Sequence, residues 1–454
     1  MNSRILNTNN SKDFYLFLLL LHALLGFSAY LFKPIAILYA VGIGMIGCFY
    51  IIKNKNQDNE ALYWCAYVVC AEVFLRMTKG NIGNEYGKYV VIVFVLIGMY
   101  YKGFSKNAIP IWSYLLLLLP GVIYSFIVLN YETDVRKAIM FNISGPLCLA
   151  LSSIYCYQRV VTASQMDKLF RMMSYPITTM FAYLYFFTPN IQEAVISTAS
   201  NSATSGGFGP NQVSTMLGFA MFVFFVRTIL YSKNIYLLAL NGFLLFFALF
   251  RGLITFSRGG VITGGVMIVI LLIKLFIIGN VTVKFKLLIV SGIAILGLIG
   301  IWGYSLYQTK GLIENRYTNE DALGREKESV LSGREVLMEA ELQMFFDNPI
   351  FGIGVGKNKE YRKELTGIEG ASHNEITRML AEHGSLGIMA LLILLATPLL
   401  LSFNNTQHLY LFSFFIFWLL TINHASMRLA APAFIYALSL LKVVPFEEPA
   451  LHRK

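Results

Sequence analysis

The sequence predicts an all-α, polytopic membrane protein, and three observations support this. Of its 454 residues, 56% are hydrophobic and only 13% are charged, and the mean hydropathy is +0.62. Apolar runs of roughly 18 residues or more recur along the chain, and runs of that length are typical of transmembrane helices. Backbone polar groups inside a bilayer must pair internally, which restricts such spans to helices. One long polar interval, 307–384, interrupts the pattern.

Fourteen apolar runs are candidate spans. Because the fourth and the fourteenth are short, we expect about 12–14 transmembrane helices. The candidates are 14–32, 35–52, 61–76, 88–101, 109–129, 137–157, 173–189, 213–231, 235–255, 259–279, 287–306, 385–402, 409–424 and 429–443.

Lys and Arg residues in the short loops predict the orientation, since they favour the cytoplasmic side. With a cytoplasmic N-terminus, most of them fall on that side. Four segments with unusual polar residues then all face outward. These are Tyr131–Arg136, Asn190–Gln212, the turn at Ser257 and Arg258, and the interval 307–384.

The net charge of +11 does not indicate a nucleic-acid partner, because the basic residues are dispersed at span ends. Anionic lipid headgroups and the positive-inside rule account for that distribution. The five Cys residues lie in or beside apolar runs and lack metal-binding spacing, so we expect neither a metal nor another cofactor.

Two capping-box patterns stand out in the polar interval. Ser332 and Glu335 predict a helix from about Gly333 to Phe346. Ser372 and Glu375 predict a second helix, with His373 in its first turn, which continues to Glu382 and ends at Gly384. The glycine-rich run 352–357 lacks the phosphate-loop spacing and is interpreted as a flexible turn.

Several polar residues outside that interval also suggest a site. Arg258 joins two apolar runs with almost no spacer, and an arginine placed there usually faces a cavity or a partner. Asn211 and Gln212 lie at the mouth of a span, where amides can orient a polar ligand. Arg136 is a weaker candidate. Each candidate also has a structural alternative. Arg258 could extend its charged end to the membrane interface, Asn211 and Gln212 could belong to an ordinary interfacial loop, and His373 could have a structural role.

These motifs together resemble the O-antigen ligase and polymerase superfamily. The resemblance rests on His373-Asn374 followed by Gly384 and Gly387, and on three further motifs in the expected order. These are Pro210-Asn211-Gln212, Thr255–Gly260, and Ser332-Gly333-Arg334 with Asn348–Gly354. It covers roughly residues 200–400. It implies a transmembrane scaffold at 1–200, a catalytic region at 201–402 with the periplasmic loop 307–384, and C-terminal helices at 403–454.

The resemblance further implies a GT-C-like, inverting, metal-independent transferase at the periplasmic face of the bacterial inner membrane. Its donor is a glycan on undecaprenyl diphosphate, and its acceptor is either the lipid A core or a second lipid-linked repeat unit. His373 is then the general base, with Arg258 and Arg334 stabilising the diphosphate. We expect Arg136, Asn211, Gln212, Asn374, Glu375 and Arg378 to bind substrate.

Three alternatives remain open. A polymerase carries the same motif as a ligase. A lipid-linked glycan transporter would favour ionisable residues buried mid-span and a repeat between two halves, and neither is clear in the sequence. A structural partner in an assembly complex would not require Arg258, Arg334 and His373 together on one face. The acidic pair Glu132 and Asp134 resembles the motif of metal-dependent GT-C enzymes, although it lies several spans into the chain.

Overall fold

The structure is a computed structural model that describes residues 2–327, 334–367, 372–423 and 427–445. Within these residues helices dominate and the only strands have three residues each, which confirms the all-α prediction. In chain order the elements are α1 (Asn2–Leu31), α2 (Pro34–Lys53), α3 (Glu60–Met77), α4 (Tyr86–Lys102), α5 (Ile109–Val128), α6 (Val135–Cys156), β1 (Val160–Thr162), α7 (Ala163–Phe187), α8 (Ile191–Ala194), α9 (Pro210–Val226), α10 (Ile235–Leu253), α11 (Arg258–Ile278), α12 (Val281–Gln308), α13 (Leu312–Tyr317), α14 (Arg334–Asp347), α15 (Asn358–Thr366), α16 (Glu375–Ser402), α17 (Leu411–Thr421), α18 (Ala430–Leu438) and β2 (Lys442–Val444).

Each of the fourteen predicted spans overlaps a helix. The last of them, 429–443, is helical only in α18 and continues into β2, and the end of the span 409–424 lies outside the described residues. In the described part of the chain, nine helices are long and apolar enough to cross a membrane. The other five predicted spans correspond to helices that are shorter or more polar, namely α3, α4, α7, α17 and α18. The protein is therefore a multi-pass membrane protein.

The chain divides into two compact units. Unit 1 contains Met1–Tyr86, Ser164–Ile268 and Ile278–Arg325. Unit 2 contains Gly87–Ala163, Val269–Ile277 and Glu326–Lys454. The division into 1–200, 201–402 and 403–454 concerns function and stays a prediction.

Helix α9 forms the centre of unit 1, and every residue from Val213 to Val226 is buried. It packs closely against the first turns of α11 through glycines. A Cβ atom on Gly260 would lie 2.0 Å from the Ser214 carbonyl oxygen, and one on Gly218 would lie 1.8 Å from the Gly260 carbonyl oxygen. Only glycine permits this backbone approach, which explains why glycines follow Arg258.

Replacing Gly260 by alanine is expected to destabilise unit 1, because the new methyl group overlaps backbone atoms of α9. Overpacking of this kind typically costs about 1–3 kcal/mol. Gly265→Ala on the same helix is the matched control, since no atom lies within 4 Å of the added Cβ. Thermal unfolding in detergent should show a lower midpoint for Gly260→Ala only. Equal midpoints for the two variants would contradict the close packing of α9 and α11.

Unit 2 is built around α5, α6, α16 and α18, and all nine residues of α18 are buried. The short strands β1 and β2 pair in parallel within this unit, with Val161 opposite Val443. The polar helices α14 and α15 pack beside the start of α16, where they enclose a small apolar core. That core contains Ala340, Met344, Ile353 and Ala381, with Tyr361 packed against it.

A buried polar cluster ties these three helices together. Arg362 of α15 forms an ion pair with Glu341 of α14, and both side chains are at most 1% exposed. Glu341 also accepts a hydrogen bond from Thr377 of α16. Burial raises the pKa of Glu341, whereas the Thr377 hydrogen bond and the Arg362 charge act to lower it. Helices α14 and α15 of the polar interval are therefore anchored on α16.

Candidate active site

The segment around His373 in unit 2 differs in detail from the prediction. Asn374 is the N-cap residue, and its Oδ1 accepts a hydrogen bond from the Ile376 amide at 2.9 Å. The predicted N-cap, Ser372, forms a local turn in which its Oγ accepts from the Asn374 amide at 3.2 Å. Asparagine caps helices as well as serine does, so the helix begins at Glu375. His373 therefore lies immediately outside the helix rather than in its first turn.

Tertiary hydrogen bonds hold this segment on both sides of His373. The Glu375 amide donates to the Ile422 carbonyl at 2.8 Å. The Arg428 guanidinium donates to the Ser372 carbonyl at 2.7 Å. His373 itself is half-buried. Its backbone is thus fixed at both ends, which suits a side chain that must act at a defined position.

A second histidine lies near the other end of this part of α16. His383 is 0% exposed and packs against α5, where a Cβ atom on Gly121 would lie 2.4 Å from its Nδ1. A substrate cannot reach a side chain in that environment. His373 is therefore the accessible histidine of this segment.

The first turns of α16 carry a buried ion-pair cluster. Arg378 lies between Glu375 and Glu382 and is ion-paired to both. Its Nε also donates to Glu375 at 3.1 Å. Glu375 occupies the first helical position instead of closing a capping box, because its carboxylate is engaged by Arg378. The arginine side chain is only 5% exposed.

A small pocket opens beside this cluster, still within unit 2. Its volume is about 30 Å³, enough for a single water-sized group. It is rich in polar side chains, including three cationic groups and one carboxylate. Lys88 at its wall is 1% exposed, and its Nζ donates to Ser144 Oγ at 3.1 Å. The lining residues are Lys88, Phe141, Asn142, Ser372, Glu375, Arg378, Met427 and Arg428.

The glycine-rich run supports the kink in α16. Gly384 has a non-helical backbone with φ of 61°. The bend leaves helix carbonyls available, and the Ile353 amide donates to the Ala381 carbonyl at 2.8 Å. The Gly356 amide donates to Glu382 Oε1 at 2.9 Å. A Cβ atom on Gly352 would lie 2.5 Å from the backbone nitrogen of His383. The glycine-rich run is therefore packed tightly rather than being a flexible turn.

Two other predicted residues belong to unit 2. Arg334 begins α14, but its side chain and the predicted N-cap Ser332 lie outside the described residues. Arg136 is exposed in the first turn of α6.

The acidic pair before α6 has a structural explanation. Asp134 is the N-cap of α6 and accepts from the Lys137 amide at 3.0 Å. Thr133 donates to Glu360 of α15, so this loop contacts the polar interval. Burial acts to raise the pKa of Glu360, but hydrogen bonds from Lys357 and Thr133 bring it below its ordinary value.

In unit 1, Arg258 is half-buried at the first position of α11. The neighbouring Ser257 Oγ donates to Asn211 Oδ1 at 2.8 Å, so two predicted motifs are in direct contact. Arg316 Nε donates to the Phe256 carbonyl at 2.9 Å. Burial raises the pKa of Tyr317 to about 12, although Arg258 and Arg316 act to lower it. This cluster thus holds two arginines beside one phenol.

Gln212 follows Asn211 in the first turn of α9 and is half-buried. Its backbone N–H donates to the Gly209 carbonyl at 3.1 Å.

Among the described residues of the whole chain, no group of three or more His, Cys, Asp or Glu side chains could hold a metal ion. In unit 2, His373 offers an imidazole, which suits proton transfer. In unit 1, Arg258 and Arg316 offer guanidinium groups, which suit the binding of phosphate oxygens.

Comparison with known families tests this interpretation. Residues 242–392 match the family model described as O-antigen ligase. The match covers about a third of the chain and relates this region to the O-antigen ligase and polymerase superfamily. The matched family implies a glycosyltransferase-type enzyme that acts on a lipid-linked glycan donor and a glycan acceptor. No curated protein and no solved structure matched the chain.

The O-antigen ligase match contains most of the predicted site. It includes Arg258, Arg334 and the residues from His373 to Arg378, and it excludes Arg136, Asn211 and Gln212. Prediction from sequence missed the polar residues that the fold brings to the pocket lined by Ser372 and Glu375, above all Lys88 and Arg428. Both are distant in sequence from α16, and neither belongs to a local motif.

Proposed function

We propose that the protein transfers a glycan en bloc from undecaprenyl diphosphate to the lipid A core at the periplasmic face of the inner membrane. The observation that carries this proposal is the placement of His373. It is half-buried, and the hydrogen bonds of Ser372 with Arg428 and of Glu375 with Ile422 fix the chain on both sides of it. Ser372 and Glu375 line a cation-rich pocket, and His373 lies within the residues that match the O-antigen ligase family.

In the proposed reaction, an acceptor hydroxyl attacks the anomeric carbon of the donor glycan. His373 removes the hydroxyl proton while the new glycosidic bond forms. The bond from the anomeric carbon to the diphosphate oxygen breaks, and the lipid diphosphate leaves with both bonding electrons. Attack opposite the leaving group inverts the anomeric configuration.

Arginine residues would stabilise the negative charge that develops on the diphosphate. Arg258 and Arg334 suit this role, because a guanidinium can bind two phosphate oxygens at once. Arg378 is already held by two carboxylates. We therefore propose that Arg378 positions the start of α16, and that Glu375 and Asn374 fix the orientation of His373. Asn211, Gln212 and Arg136 are proposed substrate contacts.

The acceptor can be identified by reconstituted transfer with purified protein and an undecaprenyl-diphosphate oligosaccharide. Core lipid A and a second lipid-linked repeat unit would be offered in separate reactions. Product on lipid A is the expected result for a ligase. A ladder of lipid-linked lengths would instead identify a polymerase. Movement of the donor across the membrane without a new glycosidic bond would support a transporter and contradict the proposal.

Chelation of divalent ions should leave this activity unchanged, since arginines supply the positive charge that a metal provides in other transferases. The measurement is the transfer rate before and after EDTA treatment, with re-addition of Mg²⁺ or Mn²⁺ as the control. A loss of activity that either ion restores would contradict the metal-independent mechanism. It would also direct attention back to Glu132 and Asp134.

A further inference from the structure

A large cleft in unit 1 has no role in the mechanism above. Its volume is about 700 Å³, which falls within the range of cavities that bind drug-sized ligands. Aromatic rings from α1, α7, α10 and α12 form most of its wall. Thr188, Arg251 and Gln308 are polar exceptions. The cleft thus combines an extensive apolar surface with one cationic group.

Arg251 is the exceptional residue of this cleft. It is 2% exposed, and its Nη2 donates to the Thr204 carbonyl at 3.2 Å. The buried Nε has no hydrogen-bond acceptor, and Arg251 forms no ion pair with any residue that the structure describes. Burying an unpaired charge is unfavourable, and intramembrane arginines usually have an anionic partner. The position therefore indicates an anionic ligand.

The apolar part of the cleft extends along α10 from Arg251. Phe243 lies eight residues earlier on the same helix, which corresponds to about 12 Å at 1.5 Å per residue. Its ring is 64% exposed, and that of Tyr185 is 61% exposed. Both belong to the cleft wall, so the cleft is open along its apolar side. A ligand with an anionic head and a long apolar chain matches both ends.

We infer that this cleft binds a phosphate-headed lipid, with its phosphate on Arg251 and its chain along the aromatic rings of α10. A guanidinium binds phosphate oxygens in a bidentate manner, and the aromatic rings bury the chain. A membrane supplies this chemistry as polyisoprenoid phosphates and as glycerophospholipids. The lipid-linked donor of the proposed reaction belongs to the polyisoprenoid group. Where that donor is the ligand, the inference deepens the proposed function and rests on it.

The test measures lipid binding by the full-length protein in detergent, for example by native mass spectrometry. The probes are undecaprenyl phosphate, undecaprenol, phosphatidylglycerol and inorganic phosphate. The wild type should bind undecaprenyl phosphate about tenfold or more tightly than undecaprenol, and Arg251→Gln should remove that preference. Phosphatidylglycerol that competes as strongly would identify a bilayer phospholipid as the source. Weaker competition would identify the polyisoprenoid.

The matched control is Arg325→Gln, which removes an arginine that is 73% exposed in the same unit and should keep the preference. If Arg251→Gln does not fold, Phe243→Ala tests the apolar end, because it should weaken binding of undecaprenyl phosphate and undecaprenol alike. Equal lipid affinities in the wild type and a folded Arg251→Gln variant would overturn the inference. Binding of inorganic phosphate as tight as that of undecaprenyl phosphate would also overturn the inference.

This binding assay is independent of catalysis. His373→Ala is expected to bind undecaprenyl phosphate as the wild type does, whether or not the proposed transfer reaction is correct. Failure of the lipid inference and failure of the proposed function therefore give different results.

Discussion

Replacing His373 by alanine is expected to lower the rate of glycan transfer by about 10²–10⁴-fold, the usual contribution of a general base. The side chain is half-buried and lies outside the helix. The measurement is reconstituted transfer under saturating donor, together with the thermal unfolding midpoint of the same preparation.

Two further variants make this result specific. His373→Gln keeps a polar side chain of similar size but cannot accept the proton as imidazole does, and it should be as inactive as alanine. His452→Ala removes a histidine outside the matched residues 242–392 and should be fully active. Normal transfer by a folded His373→Ala variant would rule out the role of general base.

Replacing Arg258 by lysine is expected to reduce transfer by about 10²-fold or more, although the charge is retained. Lysine offers a single ammonium group, whereas the guanidinium binds two phosphate oxygens in one plane. Loss of one group that stabilises developing charge typically costs 10²–10³-fold. The rate of transfer at saturating donor is the relevant measurement, since the contact should strengthen as the diphosphate leaves.

Arg325→Lys provides the matched control for this substitution. Arg325 also belongs to unit 1, but its side chain is 73% exposed and paired with Asp321. We expect the control to retain wild-type activity. If Arg258→Lys were equally active, the bidentate contact with diphosphate would be wrong, and Arg258 would serve only as a cation at the membrane surface.

The helices were predictable from sequence because the bilayer imposes a simple rule on chain composition. Every predicted span overlaps a helix, including α3 and α7, which also carry charged residues, although the last span continues into β2. A run of apolar residues long enough to cross the membrane has no alternative to a helix. Short-range capping rules were less decisive. At the start of α16, Ser372 and Asn374 were both suitable N-cap residues, and the Arg378 ion pair with Glu375 favoured Asn374.

The candidate site was predictable only where its residues form local motifs. His373 with Asn374, and Arg258 with its glycines, could be recognised because each group is contiguous. Lys88 and Arg428 could not, since only tertiary packing brings them to the pocket beside Glu375. The same holds for Arg251. That it forms no ion pair with any described residue is apparent only when its surroundings in the fold are known.

The contact between the glycine-rich run and the kink at Gly384 has a consequence for protein engineering. Segments 348–356 and 381–385 are joined by backbone hydrogen bonds and pack with almost no free space, so they form a single interlocked unit. A chimera that exchanges acceptor-facing loops between relatives must therefore transplant both segments from the same parent. Crossover points inside 358–367, where α15 is exposed along one side, would take these two contacting segments from different parents.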